Sequence, residues 1–238
     1  MTSLFVRKLE AFAPLSLEER RAVDALHGQI VTGKAGDDLI VEGERPDHVR
    51  LLIAGWGYRY KLLPDGGRQI MAYLVPGDLS DIHGFLLRRM DHSIGLLSDA
   101  IVGLISEEAM TTLLAAHPRV ARALCWATLV DAATLREWLA NMLRRDPFER
   151  LAHLLCELRA RLHMVGLVDG QAFDLPLTQA EMGDTIGLNA VTVNRVLQRL
   201  RGEGLITLKQ GRLVILDPDR LVALSGFDPN YLHLDGKR

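Results

Sequence analysis

The chain has 238 residues with 48% hydrophobic, enough for more than one packed core and too many for a disordered protein. Its formal net charge of −2 excludes a protein that coats polyanions through bulk charge, so any affinity for nucleic acid has to be local. The two cysteines, Cys125 and Cys156, have no metal-type spacing and point to a reduced, cytoplasmic protein rather than a disulfide framework.

The first residues, MTSLFVRKLE, lack the apolar core and cleavage site of a signal peptide. No uninterrupted apolar run approaches the length of a membrane span, so no membrane association is expected. Leu15 to Leu26 predicts a short helix begun by Ser16, with Glu19 closing a capping box. Between His27 and Ser106 short apolar or alternating runs are separated by glycines: LIV near Val41, VRLLIA near Leu51, YRYKLL near Tyr60, QIMAYLV near Met71 and AIVGLI near Val102. Pro64-Asp65-Gly66-Gly67 reads as a turn between two of them. Strands of this length and punctuation predict a sandwich or jelly roll.

Glu107 to Ala116 reads as a helix broken at His117-Pro118, with Pro118 tolerated near the start of the next one. From there to Arg145 nothing interrupts the pattern. Cys125, Thr128, Ala132, Leu135, Leu139 and Met142 recur at heptad spacing, and Trp126, Leu129, Val130, Ala133 and Trp138 add a second apolar face. A helix apolar on two sides needs two partners: its own β domain and, on this reading, a second copy of itself. A helix buried wholly within one subunit is the alternative. Asp146-Pro147 then starts a helix running from Phe148 to Met164 and marks a hinge.

Thr178 to Leu200, TQAEMGDTIGLNAVTVNRVLQRL, reads as a helix-turn-helix. Thr178 and Glu181 form a capping box, Met182 and Ile186 share one face, and Gly183 lets a second helix cross closely. Gly187 supplies the left-handed turn, and Asn189 caps the second helix. In that helix Val193, Val196, Leu197 and Leu200 form an inward stripe. Ala190, Val191, Asn194, Arg195, Gln198 and Arg199 face away from it. Gly202 and Gly204 end the helix, and LITL and LVIL flank Lys209-Gln210-Gly211-Arg212 as a hairpin with cations at its tip. Helix pair and hairpin together predict a winged helix. From Leu175 to Leu216 five cations (Arg195, Arg199, Arg201, Lys209, Arg212) stand against three anions (Glu181, Asp184, Glu203), so this surface is locally basic. An ordinary helical hairpin in an enzyme is the bland reading of the same stretch. The fold class expected is therefore α+β: a β-roll or jelly-roll sensor over residues 1–116, a dimerisation helix over 117–145, and a winged helix-turn-helix over 146–238.

This order of parts resembles the Crp/Fnr family of bacterial transcription regulators from about Leu15 to Leu224. The motifs that carry the resemblance are Gly36-x-x-x-Ile40-x-x-Gly43, Leu52-Ile53-x-Gly55, Val75-Pro76-Gly77-Asp78, LPLTQAEMGDTIGLNAVTVNR and the LITL…LVILDPDRL close. The resemblance implies a homodimer on a two-fold-symmetric DNA operator, controlled by a signal at the β-roll, with RNA polymerase as a further partner. It also implies that Arg195 contacts guanine and that Val191 stands where many members carry a glutamate. Asn194 is a candidate for adenine, and Thr178, Thr192, Arg199, Lys209 and Arg212 are candidate phosphate contacts.

On the sensor side the resemblance places an effector pocket at Gly77, Asp78, His92, Ser93, Leu135 and Arg136. Cyclic-nucleotide-binding members hold the phosphate with an Arg-Ser pair. His92-Ser93 stands there instead, which removes the bidentate guanidinium and argues against cyclic AMP. Oxygen-sensing members carry an iron–sulfur cluster on four cysteines, which two cysteines do not supply. Carbon-monoxide-sensing members ligate haem with a histidine after the Pro-Gly-Asp turn, and His83 occupies a similar place.

Two other classes make different demands on the sequence. A cupin-type metalloenzyme needs an H-x-H pair, and the histidines at 27, 48, 83 and 92 form none. Nor does G-x-S-x-G, G-x-x-x-x-G-K-[ST] or H-E-x-x-H occur, so no enzyme is expected. A signal-binding module that turns its winged helix toward protein partners is the remaining alternative, and selection of a palindrome from random DNA separates it from a regulator.

Overall fold

The computed structural model describes residues 2–26, 28–81 and 88–234. Two compact units emerge: one from the chain up to Lys61 with Ala72–Ala132, the other from Leu62–Met71 with Ala133–Leu232.

The first unit opens with two short capped helices. Helix α1 (Leu4–Phe12) starts at Ser3, whose hydroxyl accepts from the Val6 amide, and buries Phe5, Val6, Leu9 and Phe12. Helix α2 (Leu17–Asp24) starts at Ser16 with the expected capping box, the Ser16 amide donating to the Glu19 carboxylate at 2.7 Å. The strands follow: β1 (Gln29–Gly33), β2 (Asp38–Ile40), β3 (His48–Ala54), β4 (Gly57–Leu62), β5 (Arg68–Leu74, of which the residues up to Met71 belong to the second unit), β6 (Ser93–Leu96) and β7 (Ala100–Ser106). They form two sheets, ordered β1-β7-β3 and β2-β6-β4-β5. Strands β1, β2, β3, β4, β6 and β7 pair antiparallel.

Alternation along the strands splits their side chains between two cores. Leu52, Ala100 and Val102 meet Ile40, Leu74, Ile94 and Leu96 between the sheets. Val49, Leu51 and Ile105 point the other way, onto α1, α2, α3 (Glu107–Ala116) and the start of α4 (Pro118–Arg144) through Phe5, Val23, Met110 and Leu124. This is the β-roll expected from the glycine-punctuated runs.

Helix α4 begins at Pro118, as the sequence predicts, and carries two unlike faces. Ala123, Leu124, Ala127, Ala133 and Trp138 are buried, whereas Leu129, Leu135, Leu139 and Leu143 are exposed, Leu143 by 70%. Cys125 and Ala132 are exposed in the same row. Leu129, assigned from its spacing to the second face, belongs to this exposed row, because the packed face follows Ala123, Ala127 and Ala133 instead.

The second unit is helical with a small sheet. Helix α5 (Pro147–Val165) starts at Asp146, whose carboxylate accepts from the Phe148 and Glu149 amides. After it come β8 (Ala172–Asp174), α6 (Gln179–Ile186), α7 (Ala190–Gly202), β9 (Ile206–Lys209), β10 (Arg212–Ile215), α8 (Pro218–Ser225) and a 3-10 turn at Pro229–Leu232. The sheet order is β8-β10-β9. Helices α1 and α8 and strand β8 were not anticipated. Each is short, and β8 exists only through its pairing with β10.

Candidate nucleic-acid interface

The helix pair is built from local hydrogen bonds outward. The Thr178 hydroxyl accepts from the Glu181 amide at 3.2 Å while the Thr178 amide donates to Glu181 Oε2 at 2.7 Å, so the capping box is complete. Gly187 closes α6 at φ +69, and a Cβ on Gly183 would lie 2.2 Å from the Leu188 carbonyl. Only glycine therefore permits this crossing. Asn189 caps α7 by accepting from the Thr192 amide at 2.8 Å. Val193, Val196, Leu197 and Leu200 are buried as the stripe predicts. The C-terminal carbonyls of α6 are held from outside: Arg150 donates to Ile186, and Gln69 donates to Asp184 at 2.7 Å. Arg68 pairs with the Asp184 carboxylate at 2.8 Å. The role of Arg68 and Gln69 in steadying α6 was invisible in the sequence, which separates them from it by more than a hundred residues.

The open face of α7 carries Ala190, Val191, Arg195, Gln198 and Arg199 exposed, with Thr192 and Asn194 half-buried. Val191 is 63% exposed, a large apolar side chain aimed away from its own core. Among the described residues Arg195, Arg201 and Lys209 have no ion-pair partner. Arg199 stacks over the Phe148 ring at 4.1 Å and pairs with Glu203 at 2.8 Å. Arg212 pairs with Asp169 and Asp174, each at 3.2 Å. The wing tip is a two-residue turn, Gln210 at φ +50 and Gly211 at φ +75, joining the paired Lys209 and Arg212.

The residues assigned to an effector pocket lie in three different settings. Asp78 is buried; its carboxylate pairs with Lys8 of α1 at 2.5 Å and accepts from the Val75 amide at 3.1 Å. Leu4 of α1 lies over Gly77, and the space left between α1, this turn and α4 is about 10 Å³. Ser93 is buried in β6 with its hydroxyl accepting from the Glu42 amide, and His92 Nδ1 lies 2.6 Å from Asp91. Leu135 and Arg136 are exposed on α4. His83 lies outside the described residues. No group of three or more His, Cys, Asp or Glu that could hold a metal occurs among the described residues.

A buried polar cluster joins α4 to α5. Glu157 accepts from Trp138 Nε1 at 2.8 Å and from the Tyr231 hydroxyl at 2.7 Å, and Arg161 stands 3.6 Å away. Burial pushes the Glu157 carboxyl up. His153, fully buried, stacks on Tyr231 and meets the edge of Phe227. Burial, with help from Arg145, outweighs the Glu137 carboxylate 3.3 Å from Nε2 and pushes the imidazole down to about 3, so it is neutral. The Cys156 thiol is pushed up to about 11 by burial and is inert as a nucleophile.

A helix pair with one sheltered and one open face, a three-stranded wing and an antiparallel β-roll on the same chain define a winged-helix DNA-binding regulator with an additional β-roll domain. Comparison with known proteins agrees. Residues 149–224 match the Crp-like helix-turn-helix domain and residues 30–117 match the cyclic nucleotide-binding domain. The chain is 29% identical over 199 residues to the transcriptional activator protein FnrL of Cereibacter sphaeroides, covering 82% of this chain and 79% of that one. It is 26% identical over 221 residues to the nitrogen fixation regulation protein FixK of Bradyrhizobium diazoefficiens, covering 92% and 91%. The structure of FixK2 from Bradyrhizobium japonicum superposes with a TM-score of 0.73 at 25% identity, over 82% of this chain and 96% of that one. The chain belongs to the Crp/Fnr family and is a DNA-binding transcriptional regulator.

Proposed function

We propose that the protein is a cytoplasmic homodimer, without enzymatic activity, that reads a two-fold-symmetric operator and works with RNA polymerase. The division of labour follows the sequence: residues 1–116 receive a signal, 117–145 dimerise, and 146–238 bind DNA. The observation that carries this reading is α7, capped and buried along one side while Val191 and Arg195, which has no ion-pair partner among the described residues, stand open on the other. Support for a dimer comes from the exposed apolar row of α4, a surface of the kind monomers seldom leave in water. Two such units on a two-fold axis present their recognition helices to half-sites about 34–36 Å apart.

Arg195 is the principal base reader, donating to guanine. Val191 contacts a thymine methyl, and Asn194 adds a third position. Lys209 and Thr192 take phosphates, Arg199 and Arg212 contribute there with the donors their carboxylate partners leave over, and Thr178 joins them once its hydroxyl turns from the Glu181 carboxylate 2.8 Å away.

The sensor residues do not fit a cyclic nucleotide. Asp78 is engaged by Lys8, Leu4 closes over Gly77, and the anionic Asp91 beside His92 opposes a phosphate. Cys125 on α4 and Cys156 on α5 do not make a four-cysteine cluster site. Haem would rest on His83 alone. The signal at the β-roll is therefore neither a cyclic nucleotide held in that way nor an iron–sulfur cluster. Its output passes along α4 near Leu135 to Met142 and through the Asp146-Pro147 hinge to the spacing of the recognition helices.

The test is selection of random duplex DNA by the purified protein, then salt-dependent affinity on the enriched site. A palindrome is expected. Arg195→Ala should cost about 1–3 kcal/mol on it and relax one position per half-site. An equal loss on every duplex would make Arg195 a phosphate contact.

A further inference from the structure

Gln179 opens α6, and Asn194 lies in the second turn of α7, fifteen residues on. The close crossing at Gly183 brings their side chains together, and Gln179 Nε2 donates to Asn194 Oδ1 at 3.4 Å. An unconstrained asparagine in the major groove reads adenine with both halves of its amide: Nδ2 donates to N7 and Oδ1 accepts from the N6 amino group. Here the accepting half is turned toward Gln179. The half left wholly open to DNA is the amino group, since the carbonyl that would accept from adenine is aimed at Gln179.

We propose that Gln179 is a positioning residue for specificity, which turns Asn194 from a donor–acceptor reader into a donor-only reader. A donor-only group is best satisfied by guanine, whose N7 and O6 are both acceptors. It is opposed by cytosine, whose major-groove edge offers only an amino donor. The inference rests on the reading of α7 as the base-reading helix and deepens it: the position facing Asn194 carries guanine rather than adenine, and the choice is made by a side chain of the other helix.

The experiment compares base preference at each operator position for the wild-type protein, Gln179→Ala, Gln179→Glu and Asn194→Ala, by selection and by competition binding on single-base variants. In Gln179→Ala the asparagine regains its free carbonyl, and the guanine-to-adenine ratio at its position should shift toward adenine by about ten-fold. A glutamate at 179 can only accept, so it draws Nδ2 inward and leaves Oδ1 facing DNA. Preference should then move to a base with an amino donor, cytosine or adenine, against the background of a general loss from the added negative charge. Asn194→Ala should erase selection at that one position, while the position read by Arg195 stays sharp in all variants.

Unchanged base profiles in both Gln179 variants would overturn the proposal. So would a Gln179→Ala variant that weakens every duplex equally, since a backbone contact or a packing defect moves affinity without moving base choice. A wild-type protein that enriches no duplex would instead bring down the reading of α7 itself, a separate and recognisable failure.

Discussion

Single residues decide whether the helix pair can form at all. With the Leu188 carbonyl 2.2 Å from where a Gly183 Cβ would sit, Gly183→Ala must push α6 and α7 apart. Denaturant titration should show a loss of about 1–3 kcal/mol, typical of overpacking a fitted interior. Gly202→Ala, where nothing lies within 4 Å, should be neutral or slightly stabilising and serves as the control. Equal effects at both positions would refute the close crossing. The wing tip offers the opposite case. Gln210 sits at φ +50, where an ordinary side chain is strained and asparagine is not. Gln210→Asn should therefore raise stability by about 0.5–1 kcal/mol. An unchanged or lower midpoint would mean that the turn relaxes into another form.

At the scale of elements, the caps and stripes of α2, α6 and α7 were legible because they depend on residues three or four apart. Ser16 with Glu19, Thr178 with Glu181 and the Val193–Leu200 stripe needed no tertiary context. The junction of α4 and α5 was not legible, since Trp138, His153, Glu157 and Tyr231 meet only after the chain has folded back. That junction has a pH signature. His153 titrates near 6.5 when exposed and near 3 when folded, so its contribution is complete above 6.5 and is lost as pH falls toward 3. Below pH 6.5 the wild type should lose stability more steeply than His153→Gln, by up to about 1.4 kcal/mol per pH unit. Glu157, whose carboxyl is pushed up, acts in the opposite direction in both proteins, so the difference between the two curves isolates the histidine. Parallel curves in urea titrations at pH 7.5, 6.5 and 5.5 would show that His153 is reached by water.

For the whole molecule the decisive question is the second copy. Heptad spacing along α4 proposes a seam, and the fold leaves Leu129, Leu135, Leu139 and Leu143 exposed in one row. Because Leu139 makes no part of the intrachain core, Leu139→Lys should keep the thermal midpoint of the isolated subunit. It should nevertheless shift sedimentation equilibrium toward monomer and weaken operator binding by a hundred-fold or more, about 2.7 kcal/mol. A variant that stays dimeric would place the interface elsewhere.

The sequence by itself determined the order of parts: β-roll, long helix, winged helix. Strand and helix periodicities, caps and turn glycines are local signals that survive without a partner. It also placed Arg195 and Val191 on an outward face, because a helix with a known buried stripe has a known opposite side. Only the tertiary structure decided which of the basic residues are free. Arg199, already within reach of Glu203 one helical turn on, is taken up by Phe148, and Arg212 by Asp169 and Asp174; Phe148, Asp169 and Asp174 stand too far from these arginines in sequence for periodicity to register. The same holds for Lys8 on Asp78 and Gln179 on Asn194: hydrogen bonds and ion pairs reach only a few ångströms, and the fold alone sets which distant groups come that close.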